Sequence, residues 1–229
     1  MRLSPTVMYA TRRVLPAVCL VAALTTTAAC ATSTTAEVEP PTSVPTSAAV
    51  TVPAGQSARS APGTGLTFGE DAVLPADAFA ETGPLAMYTV TGITPAEGVP
   101  ENTTKGGAPY YLYVTVTSLA TRAAAAPGVI GLSASADGRT PALTMSPTPG
   151  LAKCPVTTPP PQMRRGESYA TCLVAVADPG QRLRQVIYWA DTTGDPALDY
   201  KSSPVVWSPT GAPPSSAGSP APAPAPAPG

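Results

Sequence analysis

The sequence predicts an all-β fold: an antiparallel β-sandwich of about seven strands, set between a disordered N-terminal linker and a disordered C-terminal tail. Three observations predict it. Between residues 64 and 207 apolar residues recur with period two, in short runs rich in β-branched and aromatic side chains. Gly, Pro, Asp and Asn, the residues of turns, bound those runs. No long stretch free of Pro and Gly carries the 3.6-residue period of an amphipathic helix.

Taken in order, Leu66–Leu74 reads as a leading strand, and Asp77–Gly83 is the longest helical candidate, at one or two turns. Met87–Ile93, Tyr110–Leu119, Gly131–Ser135, Tyr169–Ala177, Leu183–Ala190 and Pro204–Trp207 follow as strands. Ser135–Pro141 contains an Asp-Gly turn signal. Alternation in the second of these strands puts Leu112, Val114 and Val116 toward the core and Tyr111, Tyr113, Thr115 and Thr117 on the opposite face. In Tyr169–Ala177 the inward set is expected to be Cys172, Val174 and Val176.

The flanks are of another kind. Residues 1–13 hold Arg2, Arg12 and Arg13 and no acid, and Val14–Leu24 is an apolar run interrupted by Pro16. A membrane-spanning helix needs roughly twenty apolar residues, so the run is too short for one and reads as a secretory signal over residues 1–29. Thr11–Val14 also looks like the start of a twin-arginine export signal. Thr27-Ala28-Ala29-Cys30 resembles a bacterial lipobox, in which the cysteine is lipidated before the signal is cut. Thr27 stands where that motif prefers Leu or Val, so cleavage at an Ala-x-Ala-like site, releasing a soluble secreted protein, is the alternative. With Cys19 inside the signal and Cys30 carrying lipid, Cys154 and Cys172 remain as an even pair for an oxidising compartment. Their bridge should pin the proline-rich segment after Cys154 to the strand that holds Cys172. Residues 30–63 (Thr, Ser, Pro and Ala) and 208–229 (Pro and Ala) are too poor in large apolar side chains to fold, and read as tether and tail.

Composition narrows the function. The 229 residues include 31 prolines, no histidine and only 12% charged residues. Loss of the three N-terminal arginines leaves 10 of 13 basic residues against 14 acids, a net of −4, which gives nucleic acid no electrostatic footprint. Without histidine the commonest general base and metal ligand are missing, and neither Gly-x-Ser-x-Gly nor Ser-x-x-Lys occurs. Asp191, Asp195 and Asp199 recur at four-residue spacing, a pattern open to carboxylate chemistry or a hard cation. Their spacing is not that of a calcium loop, and a polar turn is the favoured reading. Tyr110, Tyr111 and Tyr113 are the candidate binding surface, since tyrosine offers amphipathic contact area at low entropic cost. They equally suit the covered outer face of a sheet or the floor beneath a loop. Asn102-Thr103-Thr104 matches a glycosylation acceptor in form only.

Several stretches carry a family resemblance: Leu66–Leu74, "YTVTGITPA" (Tyr88–Ala96), "YLYVTVTSLA" (Tyr111–Ala120) and above all Arg164–Ala190. With Gly69-Glu70, Gly166-Glu167 and Tyr188 in place, they resemble an immunoglobulin-like (telokin-like) domain of exported proteins and lipoproteins of Gram-positive bacteria. That domain is related to a small secreted mycobacterial antigen. The resemblance implies an immunoglobulin-like sandwich and no defined chemistry, and the Ala/Pro/Thr-rich flanks look actinobacterial. The expected protein is a non-catalytic binding module without a cofactor, lipid-anchored on the outer face of the cell membrane. Its expected partners are the membrane and an envelope protein or glycan. A carboxylate-dependent cell-wall enzyme is the alternative.

Overall fold

A computed structural model describes residues 43–80, 82–190 and 195–211, with Pro196 as backbone only. The expectations for the signal, for Cys30, for residues 30–42 and for 212–229 lie outside the described residues.

Among the described residues nine strands form two packed sheets. One has four strands in the order β1 (Gly65–Thr67), β9 (Val205–Ser208), β8 (Gln185–Tyr188), β5 (Leu132–Ser135). The other has five, in the order β2 (Asp71–Pro75), β3 (Leu85–Pro95), β4 (Ala108–Ser118), β7 (Ser168–Ala177), β6 (Leu143–Met145). All pairings are antiparallel except β1 with β9. The sandwich is therefore the predicted class, with two corrections to its strands. The single leading strand divides into β1 and β2, which belong to different sheets. Short, edge-lying β6, whose Leu143 is exposed, has too little alternation to be seen in sequence.

A turn at Gly69 causes the division. Its φ of +95° is one that L side chains rarely adopt, and its N–H donates to Val90 O at 2.8 Å. Glu70 Oε2 accepts the Thr67 N–H at 2.5 Å, which draws the carboxyl below its usual range. The same device recurs at the other Gly-Glu pair. Gly166 has φ +87°, and Glu167 Oε2 accepts the Arg164 N–H at 2.7 Å. Both Gly-Glu pairs are turn makers: glycine supplies the left-handed backbone and the carboxylate accepts the N–H three residues back.

Asp77–Gly83 is not helical in its described residues. Asp77 Oδ1 instead accepts the Phe79 N–H, an Asx turn that competes with helix. A single helical turn, α1 (Glu101–Thr104), forms where none was expected, closed by Lys105 at φ +48°.

The core lies between the sheets. β4 contributes Leu112, Val114 and Val116 as expected, together with Tyr110. On β3 the alternation passes from Tyr88 and Val90 to Ile93, because a bulge between Val90 and Gly92 inserts Thr91. On β7 the expected inward face is reversed: Tyr169, Leu173, Ala175 and Ala177 join the core, while Cys172 and Val174 face outward. Register decides this, since Leu112 pairs with Leu173 and Tyr113 with Cys172, and cross-strand partners share a face. Composition misled because both faces of β7 are apolar. The outer one is covered as well.

Part of that cover comes from residues 43–63, which the composition assigned to the tether. Val44 packs on Gly92, where a Cβ would lie 2.6 Å from its γ-carbon. Thr91 Oγ1 donates to Pro45 O at 2.6 Å, and the Ala48 N–H donates to Thr115 Oγ1 at 2.8 Å. Arg165 Nη2 donates to Pro53 O and Gly55 O, and Ser60 exchanges hydrogen bonds with Val73. A strap this poor in large apolar residues is held by hydroxyls of the sheet and by the Arg165 guanidinium from the turn before β7, which satisfy its backbone.

The Ser135–Pro141 turn carries a pH dependence. Partial burial of Asp137 works to raise its carboxyl pKa. Hydrogen bonds from the Thr140 and Arg139 N–H groups and the Thr140 and Ser135 hydroxyls outweigh this and hold it at about 2. A depressed folded-state pKa stabilises above the unfolded value and is lost as pH falls through the folded one. In acid titrations the stability of wild type should decline between about pH 4 and pH 2, and Asp137→Asn should lack that component of the decline.

Candidate functional site

The outer face of the five-stranded sheet is built around the bridge between Cys154 and Cys172, whose Cα atoms are 5.4 Å apart. Cys172 comes from the middle of β7 and Cys154 from the loop after Leu151, so the bridge clamps that loop over the sheet. Tyr111, Tyr113, Leu151 and Val174 complete the satellite cluster around the sulfurs.

The three tyrosines are not an exposed strip. Tyr110 is 6% exposed and faces the core; Tyr111 and Tyr113, at 1% and 6%, lie beneath the loop. Tyr111 Oη donates to Glu97 O, and Tyr113 Oη to Lys153 O at 3.0 Å. Burial raises the Tyr111 pKa, and the hydroxyl remains a donor. Glu97 and Lys153 also form an ion pair at 3.0 Å. Both side chains are well exposed, so the pair adds little stability, but its two backbones are tied down by the tyrosines. The tyrosines thus act as fasteners beneath a wall, and the accessible surface lies beside them.

That surface is a groove of about 600 Å³. Strap residues Ser43, Val44, Thr46 and Ser47 form one wall, and loop residues 152–157 around the disulfide form the other. Its floor is Thr94, Pro95, Tyr113 and Ala170–Cys172. The lining is apolar with a fringe of threonine and serine hydroxyls and one rim cation, Lys153. Such a surface suits an extended chain that presents hydrogen-bonding groups at intervals. Sequence reasoning missed Thr94, Lys153, Ala170 and the strap. The one available signal for the strap was the run of threonines alternating with valines in β4, of which Thr115 accepts the Ala48 N–H. A larger hollow of about 890 Å³ adjoins Arg122 and Arg165, but Arg165 is already committed to the carbonyls of Leu119, Pro53 and Gly55.

The two described members of the aspartate series, Asp195 and Asp199, each accept backbone N–H groups in turns. Asp199 Oδ1 accepts the N–H groups of Lys201 and Ser202, and its pKa is lowered by hydrogen bonds from Ser202. Asp195 Oδ1 accepts the Ala197 N–H, and Asp191 lies outside the described residues. Among the described residues no three His, Cys, Asp or Glu side chains converge to hold a metal ion. No helix among them is long and apolar enough to cross a membrane.

Fold and site together define a disulfide-clamped, two-sheet β-sandwich with a surface groove on the outer face of its larger sheet. No protein-family description matches the chain, and no curated protein does. Among solved structures, the secreted protein MPT63 of Mycobacterium tuberculosis is similar at 12% identity and a TM-score of 0.43, over 62% of this chain and 95% of that one. The sandwich assignment rests on the two sheets themselves.

Proposed function

We propose that this chain is an extracytoplasmic, non-catalytic interaction module, anchored through lipid on Cys30. Its groove beside the Cys154–Cys172 bridge takes an extended segment of an envelope protein or glycan. The carrying observation is the groove itself: strap and clamped loop form two walls over a hydroxyl-fringed floor. A bridged cysteine pair suits an oxidising compartment, and the signal-like N-terminus and the lipobox-like Cys30 agree with it.

The test places a photo-crosslinking residue at Ala170, which shares the outer face of β7 with Cys172 on the groove floor, or at exposed Gln181 outside the groove, in the full chain expressed in a Gram-positive host fed a labelled fatty acid. A defined envelope adduct from position 170 and none from 181 is expected, with fatty-acid label that Cys30→Ala abolishes. Equal adducts from both positions would reject the groove. Label that persists without Cys30, or never appears, would reject the anchor.

A further inference from the structure

Three exposed large apolar side chains lie on one flank of the sandwich, away from the groove. Phe79 is 75% exposed, Ile130 73% and Trp189 36%. Phe79 and Ile130 wall a hollow of about 650 Å³ floored by alanines and prolines of residues 75–84 and 124–126. Ile130 is also the ridge shared with a second hollow of about 380 Å³, where Trp189, Met145 and Leu173 lie between the free edges of β5 and β6. Contiguous exposed apolar surface of this kind marks a contact site.

We propose that the chain's own Ala-Pro repeat, residues 220–229, docks in cis along these two hollows and covers Phe79, Ile130 and Trp189. Reach permits it. The described chain ends at Gly211, packed against Thr67 of β1, the opposite edge strand of the four-stranded sheet. Crossing three strand spacings takes about 15 Å, and running the length of a four-residue strand takes about 13 Å more. Residues 212–220, extended as polyproline II, span about 28 Å, which leaves the repeat to lie along the flank.

Chemistry favours this occupant. An apolar hollow accepts a backbone only if few N–H groups are left unpaired, and every second residue of the repeat is a proline with none. Proline also pre-sets the extended conformation, so little entropy is lost on docking, and proline-rich segments are commonly bound by aromatic-lined grooves. The flank carries both signs of charge, with Asp77 lining the first hollow and Lys201 Nζ 5.7 Å from the Trp189 ring centre. An uncharged rod fits such a surface better than an anionic membrane does, and residues 212–229 contain no charged residue. The inference is independent of the groove and of the lipid anchor.

Trp189 reports on docking directly, because Trp207 is fully buried and shielded from quencher. In the exported chain, Pro→Ser substitution at 220, 222, 224, 226 and 228 should raise the acrylamide quenching of Trp189 by about twofold, as a covered ring becomes exposed. Ile130→Ser, at a surface position, should do the same. A free (Ala-Pro)5 peptide should restore protection to the tail variant and fail to protect Ile130→Ser. Protection in wild type should not depend on protein concentration. Unchanged quenching in the tail variant would overturn the proposal. So would protection that grows with concentration, the mark of a second copy's tail, or protection conferred only by anionic phosphatidylglycerol vesicles.

Discussion

Trp207→Ala is expected to destabilise the domain by about 3–5 kcal/mol, the range for truncating a large buried aromatic side chain. Few single positions in this chain should cost more. Trp207 is fully buried on β9, where it pairs with Leu66 of β1 on one side and Val186 of β8 on the other. Its indole Nε1 donates to Glu70 O at 2.9 Å, tying the four-stranded sheet to the Gly69 turn through which the chain enters the other sheet. The substitution therefore removes core volume and an inter-sheet fastening together. Trp207→Phe separates the two, and should cost about 1–3 kcal/mol through the lost donor and the smaller ring. Urea unfolding measures both, as a fall in midpoint at unchanged slope. A loss below about 1 kcal/mol for Trp207→Ala would mean that the side chain is not enclosed by the two sheets.

Breaking the Cys154–Cys172 bridge, by reduction or by replacing both cysteines with Ala, should lower stability by about 3 kcal/mol at its sequence separation of 18. The loss should be local in character. Both sulfurs lie on the outer face of the larger sheet, so the two-sheet core keeps its contacts and far-UV circular dichroism should hardly change. Amide exchange should accelerate first around residues 151–157, whose loop loses its covalent clamp and keeps the Tyr113 hydrogen bond to Lys153 O. With that wall released, position 170 should lose its crosslinking in the groove. Stability and exchange that are indifferent to reductant would show that packing and the Tyr113 hydrogen bond to Lys153 O hold the loop without the bridge.

Particular residues show how far the sequence was legible. Leu112, Val114 and Val116 were readable as core because period-two alternation is a local property of an extended chain. The Gly-Glu pairs were visible as motifs, but their role as paired turns was not, because a glycine's sign of φ is set by where the chain must go next. Tyr169–Ala177 was read inside out, since both of its faces are apolar and only the pairing of Tyr113 with Cys172 decides between them. Residues 43–63 were assigned to the tether because composition measures what a segment can bury. It does not register backbone groups that distant hydroxyls can satisfy.

The class of fold, the core face of β4, the pairing of Cys154 with Cys172 and the turn at Asp137 were settled by the chain's own order of residues, because each depends on near neighbours or on counting. The splitting of the leading strand between sheets, the burial of the three tyrosines, the strap and the groove it walls were decided only in three dimensions. They depend on register and on contacts between residues as far apart as Pro53 and Arg165, and an alternating sequence is equally consistent with several such registers until the sheets close on one another.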